Sequence, residues 1–440
     1  MIEKKSLIQI SLFTLLNCFI IYFSVSLLNY ELPDSSSYLN FSSKYKSLYP
    51  FLIYVVDTLN FNLVFVQILF LSFSVIFLCY VVSKKNSLFI SIILYLSIII
   101  NFFYTSFSKT IVTESFFFSL INIGFGLFIL NSSKKYSYYF YCTVLGLIFS
   151  IKSIGFAIVF GFLLLNYLRK DKFNYFKCFL IIFSIIIIEN IIFYKKNDTR
   201  KNVLAEVILG KTFFLSGKPS FKIEDYPNSY KKILQKSKNY FGDIQISLLS
   251  IKNLPTKVEL QSDYEVIAQF QFYDTLNDDD KKIYLEMSRD KLFLFSYLLK
   301  NNFVDYFNLS INHFFGQWVA GFKQEYMERT NLPKFKELLL SSGGINTKNN
   351  LILKIGRNLL ILLFVFFQII FLISLIKFIL KKRTNSFYLM LLCQIYLLVV
   401  SFVNISTVRY LMPVYPIIIL SCLIFLNELV KKKNEFPSRY

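Results

Sequence analysis

Residues 6–28, SLIQISLFTLLNCFIIYFSVSLL, run without a charged side chain, and residues 32–50, LPDSSSYLNFSSKYKSLYP, follow almost at once. At about 1.5 Å per residue the first stretch reaches about 35 Å, enough to cross the hydrocarbon core of a bilayer. With Glu3, Lys4 and Lys5 before it, the stretch looks at first like a signal peptide. Its apolar part is too long and no small-residue cleavage site follows, so it reads as a retained signal-anchor helix. The lysines keep the N-terminus inside, which puts Asp34 at the outer surface, close to hydrocarbon. A carboxylate there is costly to keep charged unless a partner or a wet cavity supports it, and Asp34 is therefore a candidate site residue.

The whole chain has the same character. Its 440 residues are 55% hydrophobic and 19% aromatic with a mean hydropathy of +0.52, too apolar for an ordinary soluble domain. The net charge of +21 is distributed in a way that excludes a nucleic-acid footprint. Residues 195–350 hold 23 Lys+Arg against 18 Asp+Glu, and the apolar remainder holds 25 against 9. Of those 25 cations, 18 lie in short clusters between apolar runs, as the positive-inside rule predicts for cytoplasmic loops. The six cysteines all lie in or beside apolar runs, far apart in sequence, and read as small buried hydrophobes.

These patterns predict an all-α polytopic membrane protein of about ten transmembrane helices, with a mostly helical extracytoplasmic domain inserted before the last three. Residues 1–194 form a seven-helix membrane region, 195–350 the extracytoplasmic domain, and 351–440 a three-helix region with a short cytoplasmic tail. Both termini are expected inside. The predicted spans are 6–28, 61–82, 88–103, 110–130, 138–149, 155–168, 178–194, 353–379, 387–403 and a last one ending before Lys431. Basic pairs or clusters at Lys84, Lys134, Arg169–Lys172 and Lys381–Arg383 mark the inner loops. Within the first outer loop, Tyr49 to Val56 reads as a short interfacial helix.

On this topology several polar side chains share the outer rim: Asp34, Glu114 in the first turn of the fourth span, Lys152 as an isolated cation at a hairpin tip, Glu189, and Arg409 with Tyr410, with Lys46 nearby. Carboxylates and cations converging on one wet pocket suit a reaction that takes a proton from one substrate and holds a phosphate on the other. Each residue also has a plainer reading. Asp34 fits an N-cap, Glu114 suits a helix start, Lys152 can snorkel to headgroups, and Arg409 can anchor to lipid phosphates. Glu189 fits a hydrogen bond within the bundle. His313, the single histidine, reads as structural, with contact to an acceptor as the alternative. Asp278 and Asp280 form an Asp-x-Asp that reads as a solvated turn rather than a metal site.

The order of these features resembles the C-type glycosyltransferase superfamily: an acid after the first span, a Tyr49-Pro50 closing the first loop, an acid opening the fourth span, a cation at the hairpin tip and Arg409-Tyr410-x-x-Pro413 opening the last span. Within it, the likeness is to bacterial relatives of protein O-mannosyltransferases and of the lipid A aminoarabinose transferase. The resemblance implies a bacterial cytoplasmic-membrane enzyme that takes a sugar from a polyprenyl-phosphate carrier outside the membrane and passes it, with inversion, to a glycan, lipid or protein acceptor. It implies Asp34 as general base for the acceptor hydroxyl and Glu114 as the acid that orients acceptor or sugar. Lys152 and Arg409 would hold the carrier phosphate. Beside the resemblance, Tyr410, His313 and Lys46 are candidate substrate contacts by their place in the sequence. Many members carry a second acid directly after the first, and here Ser35 stands in that place. No cofactor is implied, and the sequence leaves open whether a divalent metal takes part. Two other readings stand beside this one: a glycan polymerase or ligase using a polyprenyl-diphosphate carrier, and a lipid or glycan transporter.

Overall fold

Polar residues at the edges of the apolar runs set where the helices begin. Asn62, Ser87, Asn101 and Asn174 each accept a hydrogen bond from the backbone N–H three residues on, satisfying one of the donors a helix start leaves open. Asn253 and Asn277 do the same in the polar part of the chain. The computed structural model describes residues 4–32, 34–130, 135–168, 173–201, 203–319, 322, 350–380, 385–405 and 407–434. The basic clusters at Lys134, Arg169–Lys172 and Lys381–Arg383 lie outside the described residues.

In chain order the helices are α1 (Lys4–Phe23), α2 (Ser35–Leu39), α3 (Leu48–Thr58), α4 (Leu63–Lys85), α5 (Leu88–Ile100), α6 (Phe102–Ser106), α7 (Glu114–Ile129), α8 (Lys135–Ile151), α9 (Gly155–Leu168) and α10 (Tyr175–Tyr194). Then come α11 (Val203–Ser216), α12 (Asn228–Ser250), α13 (Leu254–Phe270), α14 (Asp278–Arg289), α15 (Lys291–Asn301) and α16 (Phe303–Gly316). The last are α17 (Asn350–Ile379), α18 (Asn385–Val403) and α19 (Tyr415–Asn434). No β-strand occurs among the described residues. Among the described residues five stretches are long and apolar enough to cross a membrane, α4, α10, α17, α18 and Val408–Val430 leading into α19, and α5 with α6 makes a sixth if the 62° bend between them lies within one span. The remaining predicted spans coincide with shorter apolar helices, α1, α7, α8 and α9.

The chain divides into two compact units. The first holds residues up to Arg200 together with the chain up to Tyr396 that includes α17 and most of α18, and the chain from Leu411 onward. Helix α7 is its centre: every residue from Glu114 to Phe128 is buried, as expected of a helix that is apolar on all sides. Gly126 lets α4 approach, since a Cβ there would come within 2.7 Å of the Phe77 ring. Helices α10 and α17 have only 22% of their apolar stretch buried, against 61% for α4, and so present most of their surface outward. The α8–α9 hairpin turns tightly at Gly155, where a Cβ would meet the Ile148 carbonyl oxygen at 2.2 Å.

The described part of the second unit runs from Lys201 to Val319 and adds Leu397–Tyr410. Helices α11 to α16 enclose a core that includes Phe213, Phe214, Phe241, Tyr264, Phe272 and Tyr306. The predicted boundary at residue 350 did not include the end of α18, but side chains of α16 bind it directly. Tyr306 Oη donates to the Phe402 carbonyl, and Gln317 Nε2 donates to the Leu397 carbonyl at 3.1 Å and to Ser401 Oγ at 2.8 Å.

Candidate functional site

Asp34 stands at the position before α2, yet its side chain makes no cap hydrogen bond. Its Oδ1 instead accepts a hydrogen bond from Tyr45 Oη at 2.8 Å. The N-cap reading is thereby replaced by a contact across the loop. The loop is held by its aromatic residues: Tyr38 packs on Tyr45 at 4.7 Å and on Tyr49 at 5.3 Å between ring centroids. Tyr49 Oη donates to Gln67 Oε1 at 2.8 Å, and Gln67 Nε2 donates to the Thr110 carbonyl at 2.8 Å, tying the start of α3 to α4 and to the turn before α7. Phe41 adopts a left-handed φ of 54°, a backbone cost accepted where the loop doubles back.

Ser35 has a definite task. Its hydroxyl donates to the Ile111 carbonyl at 2.8 Å and accepts from the Leu32 N–H at 2.9 Å. A carboxylate there would set two acceptors against each other, so the absence of an acid directly after Asp34 has a local physical reason.

Glu114 is the first residue of α7, where the helix dipole favours an anion, and it is 1% exposed. Its Oε1 lies 2.5 Å from Lys152 Nζ, and Oε2 accepts from Thr113 Oγ1 at 3.2 Å. Lys152, expected as an isolated cation, is instead paired: the α8–α9 hairpin brings it to the start of α7, where a buried carboxylate attracts it strongly across a low-dielectric interior. Its ammonium also stands over the Phe117 ring at 5.7 Å.

The residue that sequence reasoning undervalued is Glu189. Its carboxylate accepts from the Ser47 N–H at 2.8 Å, lies 2.9 Å from Ser47 Oγ, and receives Arg200 Nη2 at 2.9 and 3.1 Å on its two oxygens. Lys46 Nζ lies 3.6 Å away. Arg200 stacks on the Phe193 ring at 4.1 Å, and Lys46 stands over the Phe149 ring at 5.3 Å. Burial pulls the Lys46 ammonium below its usual range, an effect that Glu189 opposes and Arg200 reinforces. Two cations against one carboxylate leave this cluster with an excess positive charge at its edge, suited to an anion. The available signal was a glutamate in an otherwise apolar helix; its partner Ser47, 142 residues away, carried none.

In the first unit Asp34 is linked through Tyr45, Tyr38 and Tyr49 to Gln67, Lys46 meets Glu189 and Phe149, and Glu114 pairs with Lys152. Chemically it offers a half-buried carboxylate on a neutral phenol, a neutralised buried acid and a net cationic cluster.

Arg409, Tyr410 and His313 belong to the second unit. Arg409 lies in a short 3-10 turn, Val408–Tyr410, with its guanidinium over the Tyr410 ring at 5.3 Å. His313 is fully buried and bonds through Nε2 to Glu265 Oε2 at 2.9 Å, and Lys211 Nζ lies 3.8 Å from the same oxygen. This cluster joins α11, α13 and α16 inside the core, the structural role for a lone histidine. Burial pulls the His313 imidazole below its usual value and lowers the Lys211 ammonium to about 8, with Glu265 opposing both.

The Asp-x-Asp reading needs correction. Asp278 and Asp280 lie in the first turn of α14; Asp278 is exposed, but Asp280 is buried, bonded by Lys236 and by Lys232 at 3.0 Å. These lysines hold its carboxyl below the usual carboxylate range. Among the described residues no group of three or more His, Cys, Asp and Glu side chains is placed to hold a metal ion. No family model, curated protein or solved structure matches this chain.

Proposed function

We propose that the protein is an integral membrane glycosyltransferase that moves a sugar from a polyprenyl-phosphate carrier to an acceptor hydroxyl outside the cytoplasmic membrane, with inversion. In this reading the ten helices α1, α4, α5, α7, α8, α9, α10, α17, α18 and α19 are spans, and both termini are inside. The observation that supports it is that Tyr45 bonds the loop carboxylate while the next residue, Lys46, belongs to a cluster of excess positive charge. Asp34, hydrogen-bonded to Tyr45 Oη, serves as general base on the incoming hydroxyl. Lys46 and Arg200, only partly balanced by Glu189, draw the phosphate of the donor and stabilise the charge left as the sugar departs. Glu114 and Lys152 present a fixed polar pair to the sugar.

The test is turnover by purified protein in lipid vesicles supplied with polyprenyl-phosphate sugars, measured as release of polyprenyl phosphate. Asp34→Asn is expected to lower the rate by about 10²- to 10⁴-fold, the range for loss of a general base. Equal turnover by parent and variant, or none by the parent with any donor, overturns the assignment.

One observation favours a second reading, a lipid or glycan transporter. The 62° break between α5 and α6 at Asn101 is the kind of discontinuous span that transporters use to bind cargo. Movement of a labelled polyprenyl lipid between leaflets, without its cleavage, identifies that function in the same vesicles.

A further inference from the structure

Helix α16 divides into three faces. Tyr306, Leu309, Ser310, His313 and Gly316 are buried in the second unit's core. Asp305, Asn308 and Asn312 form a polar strip, with Asp305 accepting from Lys218 Nζ at 3.0 Å. On the third face Phe303, Val304, Phe307 and Ile311 are 52%, 70%, 41% and 49% exposed. At about 100° per residue these four fall within an arc of about 100°, and Phe314 continues it. Such a contiguous apolar stripe exposed to water is uncommon without a partner.

The other observation is where this helix is attached. Through Tyr306 and Gln317 it is bonded to the last two turns of α18, one of the helices long and apolar enough to cross a membrane. Tyr306 satisfies the Phe402 carbonyl, one of those a helix end leaves open. Phe307 of the exposed stripe packs on Phe402 at 6.3 Å, so the stripe is continuous with the apolar surface at the end of α18. Gln317 reaches Leu397, five residues further into α18 than Phe402, or about 7.5 Å along its axis. The C-terminal end of α16 therefore runs obliquely toward the deeper part of that span.

We propose that α16 is an interfacial membrane helix, with the Phe303–Val304–Phe307–Ile311 stripe immersed at the headgroup–acyl boundary of the leaflet in which α18 ends. The occupant of this face is lipid, because the face continues the surface of a membrane-crossing helix, and α16 has the polar strip and apolar stripe of helices that lie in that boundary. The proposal does not depend on the reaction proposed above.

The test places a nitroxide at Val304→Cys, Phe307→Cys and Ile311→Cys, one at a time. The full-length protein is reconstituted into phosphatidylethanolamine–phosphatidylglycerol vesicles. The six native cysteines are buried, and labelling of the parent measures any background from them. Leu285→Cys on α14, at an exposed apolar position in the same unit, serves as the aqueous reference. Labels on α16 are expected to be severalfold more accessible to oxygen, and less to a water-soluble nickel chelate, than the label at 285, with position 311 deeper than 304. Nickel accessibility equal to that at 285 overturns the proposal. So does exclusion of both reagents with dipolar broadening between labels, which identifies a second copy of the chain on this face.

Discussion

Each unit of this protein buries a carboxylate between two basic side chains, and the two clusters differ in every respect that matters to function. In the first unit Glu189 is well satisfied: a backbone N–H, a hydroxyl and the Nη2 of an arginine all reach it. Its cations remain partly open, Lys46 at 16% and Arg200 at 25% exposure. In the second unit Glu265, Lys211 and His313 are all sealed at 1% exposure or less, and Lys211 is held by charge at 3.8 Å with no hydrogen bond to its Nζ. An open cluster with surplus charge can exchange a protein partner for a ligand. A sealed one can only stabilise or strain the fold, since buried charges are tolerated for the pairing they keep.

The largest effect that would break this comparison comes from deleting the acids. Glu265→Ala leaves Lys211 buried without its counter-charge and is expected to cost about 3–5 kcal/mol. Glu189→Ala leaves cations that can turn to water and is expected to cost about 1.5–3 kcal/mol, the worth of charged hydrogen bonds. Chemical denaturation in detergent micelles measures both, and a reversal of their order removes the distinction between open and sealed.

A smaller effect sharpens it through pH. Lys211 has a folded value of about 8 against 10.5 for the free side chain, so between those values the unfolded chain holds the extra proton. Unfolding free energy therefore rises with pH across that window, by up to about 1.4 kcal/mol per pH unit, and the burial penalty is fully felt below it. His313, also lowered, takes up its proton more readily when unfolded, so it contributes a loss of stability as pH falls below its ordinary value of 6.5. Lys211→Met should flatten the alkaline rise and His313→Gln the acid fall, while Lys46→Met changes neither limb to the same degree. Thermal unfolding across pH reads all three.

The smallest expected effect is Tyr45→Phe, which removes the hydroxyl on Asp34 and should cost about 0.5–1.5 kcal/mol in stability. If Asp34 acts as proposed, turnover falls as well, because the carboxylate loses the hydrogen bond from Tyr45 Oη. A stability loss with unchanged turnover would confine Tyr45 to a structural role.

Much of the fold was legible because its signals are local. Long apolar runs and the lysine clusters between them together located a helix at each expected span. The site was legible only as a list. Asp34 and Glu114 stood out as acids beside hydrocarbon, but Asp34 bonding Tyr45 rather than capping α2 depends on how the loop folds back. Lys152 read as isolated because its partner lies 38 residues away. Asp280 read as solvated because Lys232 and Lys236 come from another helix, α12.

The sequence by itself determined the helical class, the membrane character and the order of elements, since hydrophobic length and flanking charge act within a few residues of the chain. Only the tertiary structure decided which charges meet: Glu114 with Lys152, Glu189 with Ser47 and Arg200, His313 with Glu265, and α16 with the end of α18. Such pairings follow from which faces of the helices come together. That is set by packing across the whole molecule, where one buried carboxylate selects its partner by proximity and low dielectric rather than by distance along the chain.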